Sequence, residues 1–489
     1  MAPKHASSWM QTHLHAIGDL PLSKLCIPAS HDAGVYRLGV HTSFGTESNV
    51  LTQTRSIFDQ LELGVRYFDI RPVLTSPAPG QPPVKWATGH YTGEGKDKIG
   101  WQGGNGVDLD EIIADVNRFT QENAELVFIE IGHLLRLTID NPTKSDARGL
   151  TSDEQVDLLR VLGGLERLFS VSDGIGKDTP LQNCSLRQFV GGGKAAVVVL
   201  IDDMPGRADE IYNHHFWPMY MSNGQAYFDR RGASVTRMQS TGDAVWSTIS
   251  FFQLFGAEYN SDSVLSLSKR EQERRFPGIL AEYAASGYPG SIAMDRVQNL
   301  DLLTFCLAVT WQNLNSGYGH TDTIIFYGGK LITHPLVHRV VREAIDNGRG
   351  LQVNNGSIGG GEDPWQGVTK SCAVYYHHNG LYKARFAREN QTLHFEEDVL
   401  EITYGGKEIR DQAVYLRFLR AISQRERLTV TNDNLGGDPT PNVKKSCKVR
   451  FRDLNSKDVR EEKKDEGGSF DFETFWEKMG KSAATTMMH

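Results

Sequence analysis

The sequence predicts an α/β protein: a TIM-type (β/α) barrel, distorted in places, followed by an α+β module of two internal repeats. Three observations predict it. Over residues 1–320, short apolar runs alternate with longer helical or loop stretches, as βα units do. Those runs are apolar on both faces and each ends in polar residues, the pattern of a buried parallel sheet. Beyond residue 320 the texture changes, and two similar segments follow one another.

The predicted strands are "KLCIPAS" (24–30), "VRYFDIR" (65–71), "VKWATGH" (84–90), "ELVFIEIGH" (125–133), "AAVVVLIDD" (195–203) and "SIAMDRV" (291–297). Helical periodicity marks "LDEIIADVNRFTQEN" (109–123) and "NLDLLTFCLAVTWQNLN" (299–315). Six such strands suit a barrel with two strands irregular; a doubly wound sheet is the competing architecture. In a parallel barrel, functional residues gather at the carboxyl ends of the strands. His31, Asp69, Arg71, His90, Glu130, Asp202 and Asp295 all fall at or near such ends.

In the second region, "IIFYGGKLI" (324–332) recurs as "EITYGGKEI" (401–409), and "EDPWQGVTKSCAV" (362–374) as "GDPTPNVKKSCKV" (437–449). Val337, Val341 and Ile345 match Val414, Phe418 and Ile422 at helical spacing. The expected organisation is a barrel over 1–320, repeats over 321–397 and 398–475, and a tail over 476–489 read as a surface helix with frayed end. The KSC cysteines, within alternating strand patterns, read as small buried hydrophobes.

Composition narrows the function. A net charge of −8, from 52 basic and 60 acidic residues, lacks the basic excess of a nucleic-acid binder. No stretch is long and apolar enough to span a bilayer, and the amino end lacks a secretory core. Five scattered cysteines without CxxC spacing fit thiols in a reducing compartment. The expected setting is therefore cytoplasmic.

Asp69 and Arg71 in "FDIRP" are two apart on a strand and so face the same side. An ion pair is the simplest use of them, but the arginine fork also suits a phosphate. "IPASHDAG" and "WATGHYTG" each bring a histidine, His31 and His90, to a strand end. Two imidazoles with an arginine between them are the parts needed to cleave a phosphodiester without a metal: one removes a proton, one supplies a proton, and the guanidinium holds charge on phosphorus. "GWQGGNG" (100–106) reads as a loop, because no lysine follows it as in a phosphate-cradling motif. Asp202 reads either as a binder of substrate hydroxyls or as a loop cap. Tyr91 and Trp101 read either as the lining of a sugar-ring pocket or as core.

"IPASHDAG", "ELGVRYFDIRP", "TGHY", "ELVFIEIGH" and "SIAMDRV" resemble, in the same order, the motifs of the phosphatidylinositol-specific phospholipase C catalytic (X) domain. The resemblance covers roughly residues 20–315 and implies a distorted TIM-type barrel. It implies that His31 is the general base, His90 the general acid, and Asp32 the support of the second histidine. It likewise implies that Arg71 binds phosphate and that Asp295 orients the first histidine. Asp32 and Arg71 follow the bacterial, metal-independent branch, so no cofactor is expected. Glu130 instead resembles a calcium ligand of the animal branch, and with Asp32 and Asp69 it defines the calcium-dependent alternative.

The expected activity is that of a phosphodiesterase or phosphorus–oxygen lyase acting by attack of a neighbouring hydroxyl. The expected substrate is a phosphodiester, with phosphatidylinositol at a membrane surface the family's example. A small-molecule cyclase or lyase reusing the same histidine pair, and a non-catalytic binding protein, are the two alternatives.

Overall fold

The computed structural model describes residues 4–93, 100–141, 144–228, 291–299, 301–315, 323–424, 426–453 and 458–472. The expected carboxy-terminal surface helix lies outside them. The chain divides into two compact units, one holding the described residues up to Leu314 and the other those from residue 323 on.

In the first unit, six strands form one parallel sheet. They are β1 (Ile27–Ser30), β2 (Tyr67–Ile70), β6 (Leu126–Ile131), β9 (Ala196–Ile201), β10 (Trp217–Pro218) and β11 (Ser291–Met294), in the order β10-β9-β6-β2-β1-β11. Every residue of these strands is buried, as a parallel sheet covered on both faces requires. Neighbours follow chain order, and the last strand pairs with the first. That is the winding of a barrel rather than the reversal of a doubly wound sheet. The closed barrel itself is not seen: among the described residues no strand joins β10 to β11, and the sheet is open there.

The helix Leu109–Glu122 buries Leu109, Ile112, Val116 and Phe119, a single stripe at helical spacing, with Asp110 and Glu111 favourably placed in its first turn. At the amino ends of β2 and β6, the buried pair Arg66–Glu125 ties down the amino-terminal helix Trp9–Ile17. Glu125 accepts from Met10 N and Gln11 N, and Arg66 donates to Ser7 O.

A second sheet, in the order β5-β4-β3-β7-β8, is made by chain that leaves β2 and β6 at their carboxyl ends. It comprises β3 (Pro72–Ser76), β4 (Ala87–Thr92), β5 (Gln102–Asp108), β7 (Leu135–Asn141) and β8 (Lys144–Arg148). Two expectations are corrected here. The strand predicted over 84–90 is β4, which pairs antiparallel with β3 instead of joining the parallel sheet. The link between them is too short for the crossover a parallel neighbour needs. "GWQGGNG", expected to be a loop, contributes to strand β5, antiparallel to β4. Its glycines permit close backbone approach: a Cβ on Gly103 would lie 2.0 Å from His90 O, and one on Gly45 2.1 Å from Gly103 O.

In the second unit, β12 (Ile324–Tyr327), β13 (Lys330–Leu331), β15 (Ser371–His378) and β16 (Leu381–Arg388) form a sheet ordered β13-β12-β15-β16, beside a β14–β17 pair (Gly350–Gln352, Thr392–His394). The same order recurs as β19-β18-β21-β22 beside β20–β23: Lys407–Glu408, Val399–Tyr404, Ser446–Arg452 and Val459–Asp465, beside Arg427–Thr429 and Ser469–Asp471. Each YGGK motif is a hairpin whose two central glycines have φ of +55° to +80°, as a two-residue turn of primed type demands. The helices Pro335–Asp346 and Gln412–Gln424 turn Val337, Val341 and Ile345, or Val414, Phe418 and Ile422, into separate apolar cores.

Each half also buries the lysine of its KSC motif. Lys370 Nζ meets Glu389 Oε2 at 2.9 Å, Asp363 Oδ1 at 3.1 Å and Val368 O at 3.2 Å; nearby, the Tyr327 hydroxyl donates to Asn355. Lys445 Nζ meets Asp438 Oδ1 and Val443 O, each at 3.0 Å, and Glu466 Oε2 at 3.4 Å; the Tyr404 hydroxyl donates to Asn432. Cys372 and Cys447 are buried core residues of β15 and β21. Among the described residues, no helix is long and apolar enough to cross a membrane.

Candidate active site

His31 is the first residue after β1, and its N–H still donates to Met294 O of β11 at 3.2 Å, which extends the β1–β11 ladder by one step. Asp295 follows β11, so the two side chains emerge from neighbouring strand ends. Asp295 Oδ1 lies 2.8 Å from His31 Nδ1. Asp32 comes next and turns left-handed, with φ +43°. That is a conformation costing a non-glycine residue about 1–3 kcal/mol, held here by its surroundings. Thr52 Oγ1 donates to Asp32 O at 2.9 Å, and Ala33 N donates to Asp69 O at 2.8 Å. His133, Asp203 and Arg296 are likewise left-handed, each two residues past the end of β6, β9 or β11. Four left-handed residues thus stand at the carboxyl ends of the strands, while Arg167 and His215, also left-handed, precede β9 and β10.

Asp69, on β2, and Arg71, just past it, meet as the D-x-R spacing predicts: Arg71 Nη2 donates to Asp69 Oδ2 at 3.0 Å. The second histidine arrives by way of the antiparallel sheet. Gly89 N donates to Arg71 O at 3.0 Å, which sets His90 on β4 beside the end of β2. His90 Nδ1 is hydrogen-bonded to Asp32 Oδ2, and Arg71 Nη1 stands 3.8 Å from the same oxygen. Asp32 Oδ1 has no hydrogen-bond partner among the described residues. His31, Asp32, Asp69 and His90 are all buried, and Arg71 and Asp295 are partly so. Each imidazole thus spends Nδ1 on a carboxylate and turns Nε2 the other way.

Arg71 Nη2 lies 2.7 Å from His31 Nε2, a contact that needs the lone pair on that nitrogen. Burial lowers the proton affinity of His31, as does Arg71. Asp295, by charge and hydrogen bond, and Asp69 raise it, and together they prevail, so the His31 pKa is raised to about 9. A proton on Nε2 and the Arg71 hydrogen bond exclude each other, so pH decides which of them holds.

The carboxylates of the calcium alternative do not form a ligand set. Asp32 is engaged by His90, Asp69 by Arg71, and Glu130 accepts from the Tyr67 hydroxyl at 2.7 Å. Among the described residues no three His, Cys, Asp or Glu side chains converge as metal ligands. Three further candidates have other contacts. Asp202 Oδ1 caps its own turn, accepting from Asp203 N at 2.9 Å. Tyr91 and Trp101 pack with Val73, Leu137 and Ile139, and Tyr91 points to the opposite face of β4 from His90. A residue with no signal in the sequence is Gln53, buried in a loop, whose side chain bonds the backbone on both sides of the His31–Asp295 pair. Only its place between the predicted strands could have drawn attention to it.

No family model matches the sequence. A curated relative named PI-PLC X domain-containing protein 3, from Bos taurus, is 27% identical over 149 residues, which is 26% of this chain and 42% of the relative. The human protein of that name is 26% identical over the same length. The likeness is to the phosphatidylinositol-specific phospholipase C X-domain family. The matched stretch spans less than half the length of these X-domain relatives. Among solved structures, a phosphatidylinositol-specific phospholipase C of S. aureus shares 14% identity, with 60% of this chain and 91% of that one covered, at a TM-score of 0.33. The enzyme of Listeria monocytogenes shares 12%, with 63% and 98% covered, at a TM-score of 0.32.

Proposed function

We propose that the first unit is a phospholipase C-like phosphodiesterase that cleaves by attack of a hydroxyl adjacent to the ester and leaves a cyclic phosphate. The observation that carries this reading is the pair of carboxylate-backed imidazoles, His31–Asp295 and His90–Asp32, with Arg71 reaching toward both. The hydroxyl oxygen forms its bond to phosphorus as its proton passes to Nε2 of His31, which must first be without the proton that its raised pKa favours. The ester bond to the leaving oxygen breaks, and His90 Nε2–H supplies the proton that oxygen needs. Arg71 neutralises the developing charge on phosphorus, in a setting where few waters compete. The guanidinium that sits on His31 in the structure must move onto the phosphate for His31 to act. Substrate binding and release of the base are therefore one event in this reading.

The substrate class is a phosphodiester whose alcohol carries a neighbouring hydroxyl, and the name of the X-domain relatives directs the first test to phosphatidylinositol. Phosphatidylinositol vesicles incubated with the full chain are expected to release diacylglycerol and a five-membered cyclic phosphate, seen by its downfield phosphorus resonance. A first product that is already the open monophosphate, or no product, would exclude the mechanism for this substrate. We also infer that 321–397 and 398–475 are two copies of one α+β unit, which the shared strand order and the matching lysine clusters support. All the groups assigned to the chemistry belong to residues 1–320.

A further inference from the structure

We propose that Gln53 is the positioning residue of the site: its side-chain amide clamps the ends of β1 and β11 together and so fixes the spacing of the His31–Asp295 pair. The proposal's effect on turnover rests on the function proposed above, but the clamp itself does not. Gln53 is fully buried, in the loop that follows a short helix, Glu47–Val50. Its Nε2 donates to His31 O at 3.0 Å and to Met294 O at 3.1 Å, and its Oε1 accepts from Val297 N at 3.1 Å. Both amide hydrogens and one acceptor site are thus spent on backbone, which is most of what a glutamine has to offer. The residue before it completes the grip. Thr52 Oγ1 donates to Asp32 O, and Thr52 O accepts from Arg296 N at 2.9 Å. The dipeptide is itself held, since Thr52 N and Gln53 N both donate to Val35 O.

The placement matters because of what ends there. The β1–β11 register runs Ile27–Ser291 to Ser30–Met294, and one further bond, His31 N to Met294 O, closes it. Past that point both chains turn left-handed, at Asp32 and at Arg296. Asp295 sits between Met294 and Val297, the two residues that Gln53 grips on β11, while His31 is the residue it grips on β1. Without the amide, His31 O and Val297 N lose the bond that Gln53 makes, Met294 O keeps only that from His31 N, and the segment carrying Asp295 is less firmly held to His31. Among the described residues, Asp295, Arg71 and Asp69 face His31. Arg71 and Asp69 belong to β2 and its end, which Gln53 does not touch, so loosening the clamp weakens the Asp295 contribution alone.

A purely structural Gln53 would change stability and nothing else. The distinguishing readout is the titration of the His31 ring, followed by NMR in the full chain labelled at histidine and assigned by the signal lost in His31→Ala. In Gln53→Met, the His31 pKa is expected to fall by ~1 unit or more, because the weakened interaction with Asp295 is one that favours the charged ring. Turnover of phosphatidylinositol should drop by ~10-fold or more with KM changed far less, as expected when catalytic groups are misplaced but binding is kept. Gln53→Asn keeps an amide one methylene short, so it should fold even where Gln53→Met does not, and should shift the pKa in the same direction by less. A wild-type titration of His31 in the folded variants overturns the clamp. A lowered pKa in a protein whose wild type leaves phosphatidylinositol intact upholds the clamp and overturns only the substrate reading.

Discussion

Charge buried in the second unit and charge buried at the carboxyl face of the first unit are treated differently. In the second unit, Lys370 is closed in by two carboxylates and a carbonyl, and Lys445 has the same surroundings in the other half. Each ammonium's three donors have three acceptors, so nothing is left to exchange. At the carboxyl face of the first unit, Arg71 is shared among His31, Asp69 and Asp32, one oxygen of Asp32 has no hydrogen-bond partner among the described residues, and the backbone carrying Asp32 is strained. Partners there can be traded. Buried charge with a closed set of partners holds a fold together, whereas buried charge with alternatives can respond to a ligand.

The comparison breaks most sharply at the histidines. His31→Ala and His90→Ala are each expected to lower turnover by roughly 10²–10⁴-fold, the range of general acid–base groups, with little change in melting temperature. Activity retained in either variant, measured on phosphatidylinositol vesicles, would remove the mechanism. Arg71→Lys comes next, with a loss of ~10²-fold expected, because lysine keeps the charge but loses the fork that spans phosphate and carboxylate. The same assay in EDTA should leave the wild type active. Loss in EDTA restored by calcium would instead demand that Asp32, Asp69 and Glu130 rearrange into a ligand set.

Lys370→Ala tests the other side of the contrast. Removing one partner from a buried ion pair costs about 3–5 kcal/mol in a sealed interior. Asp363 is partly exposed, so about 2–3 kcal/mol is expected here, discounted for that exposure. It should appear as a lower denaturation midpoint of the second unit, with turnover unchanged. Lys445→Ala should act in the same direction. A Lys370→Ala protein that loses activity while keeping its stability would mean the cluster is not merely structural.

Much of this contrast can be traced to local sequence, and its failures have a physical pattern. Fully apolar runs ending in a polar residue mark β1, β2, β6, β9 and β11, and they bring His31, Asp69, Arg71 and Asp295 to adjacent strand ends. His90 reaches the same place by another route, on an antiparallel strand whose pairing depends on backbone bonds to Arg71 and on glycines at residues 103 and 45. A strand built from glycine carries no side-chain alternation, so its periodicity is silent and β5 reads as a loop. Gln53 is silent for a related reason, because its partners are backbone groups that are distant in sequence and leave no residue signature. Tyr91 and Trp101 could be read from the sequence as pocket lining or as core, and the structure packs both against Val73, Leu137 and Ile139.

The last expected effect is the pH dependence of stability contributed by His31. Its pKa is raised in the folded protein from 6.5 to about 9. Such a group favours folding when it is protonated in both states, which is below about 6.5. That stabilisation is lost as pH rises through the window from 6.5 to about 9, where the unfolded ring has given up its proton and the folded ring is still giving up its own. The rise is net of the opposing contributions, since burial and Arg71 lower the proton affinity of His31 while Asp295 and Asp69 raise it. Denaturation midpoints of wild type and His31→Gln, measured across this window, isolate the effect as a difference. That difference should be level below pH 6.5 and shrink toward pH 9, in the direction of a destabilised wild type. A difference that rises as pH approaches 6.5 and is level above it would mean that Arg71 outweighs the two carboxylates and that His31 is held neutral. The base would then be ready without any movement of a proton, and the coupling between phosphate binding and its release would rest on the guanidinium alone.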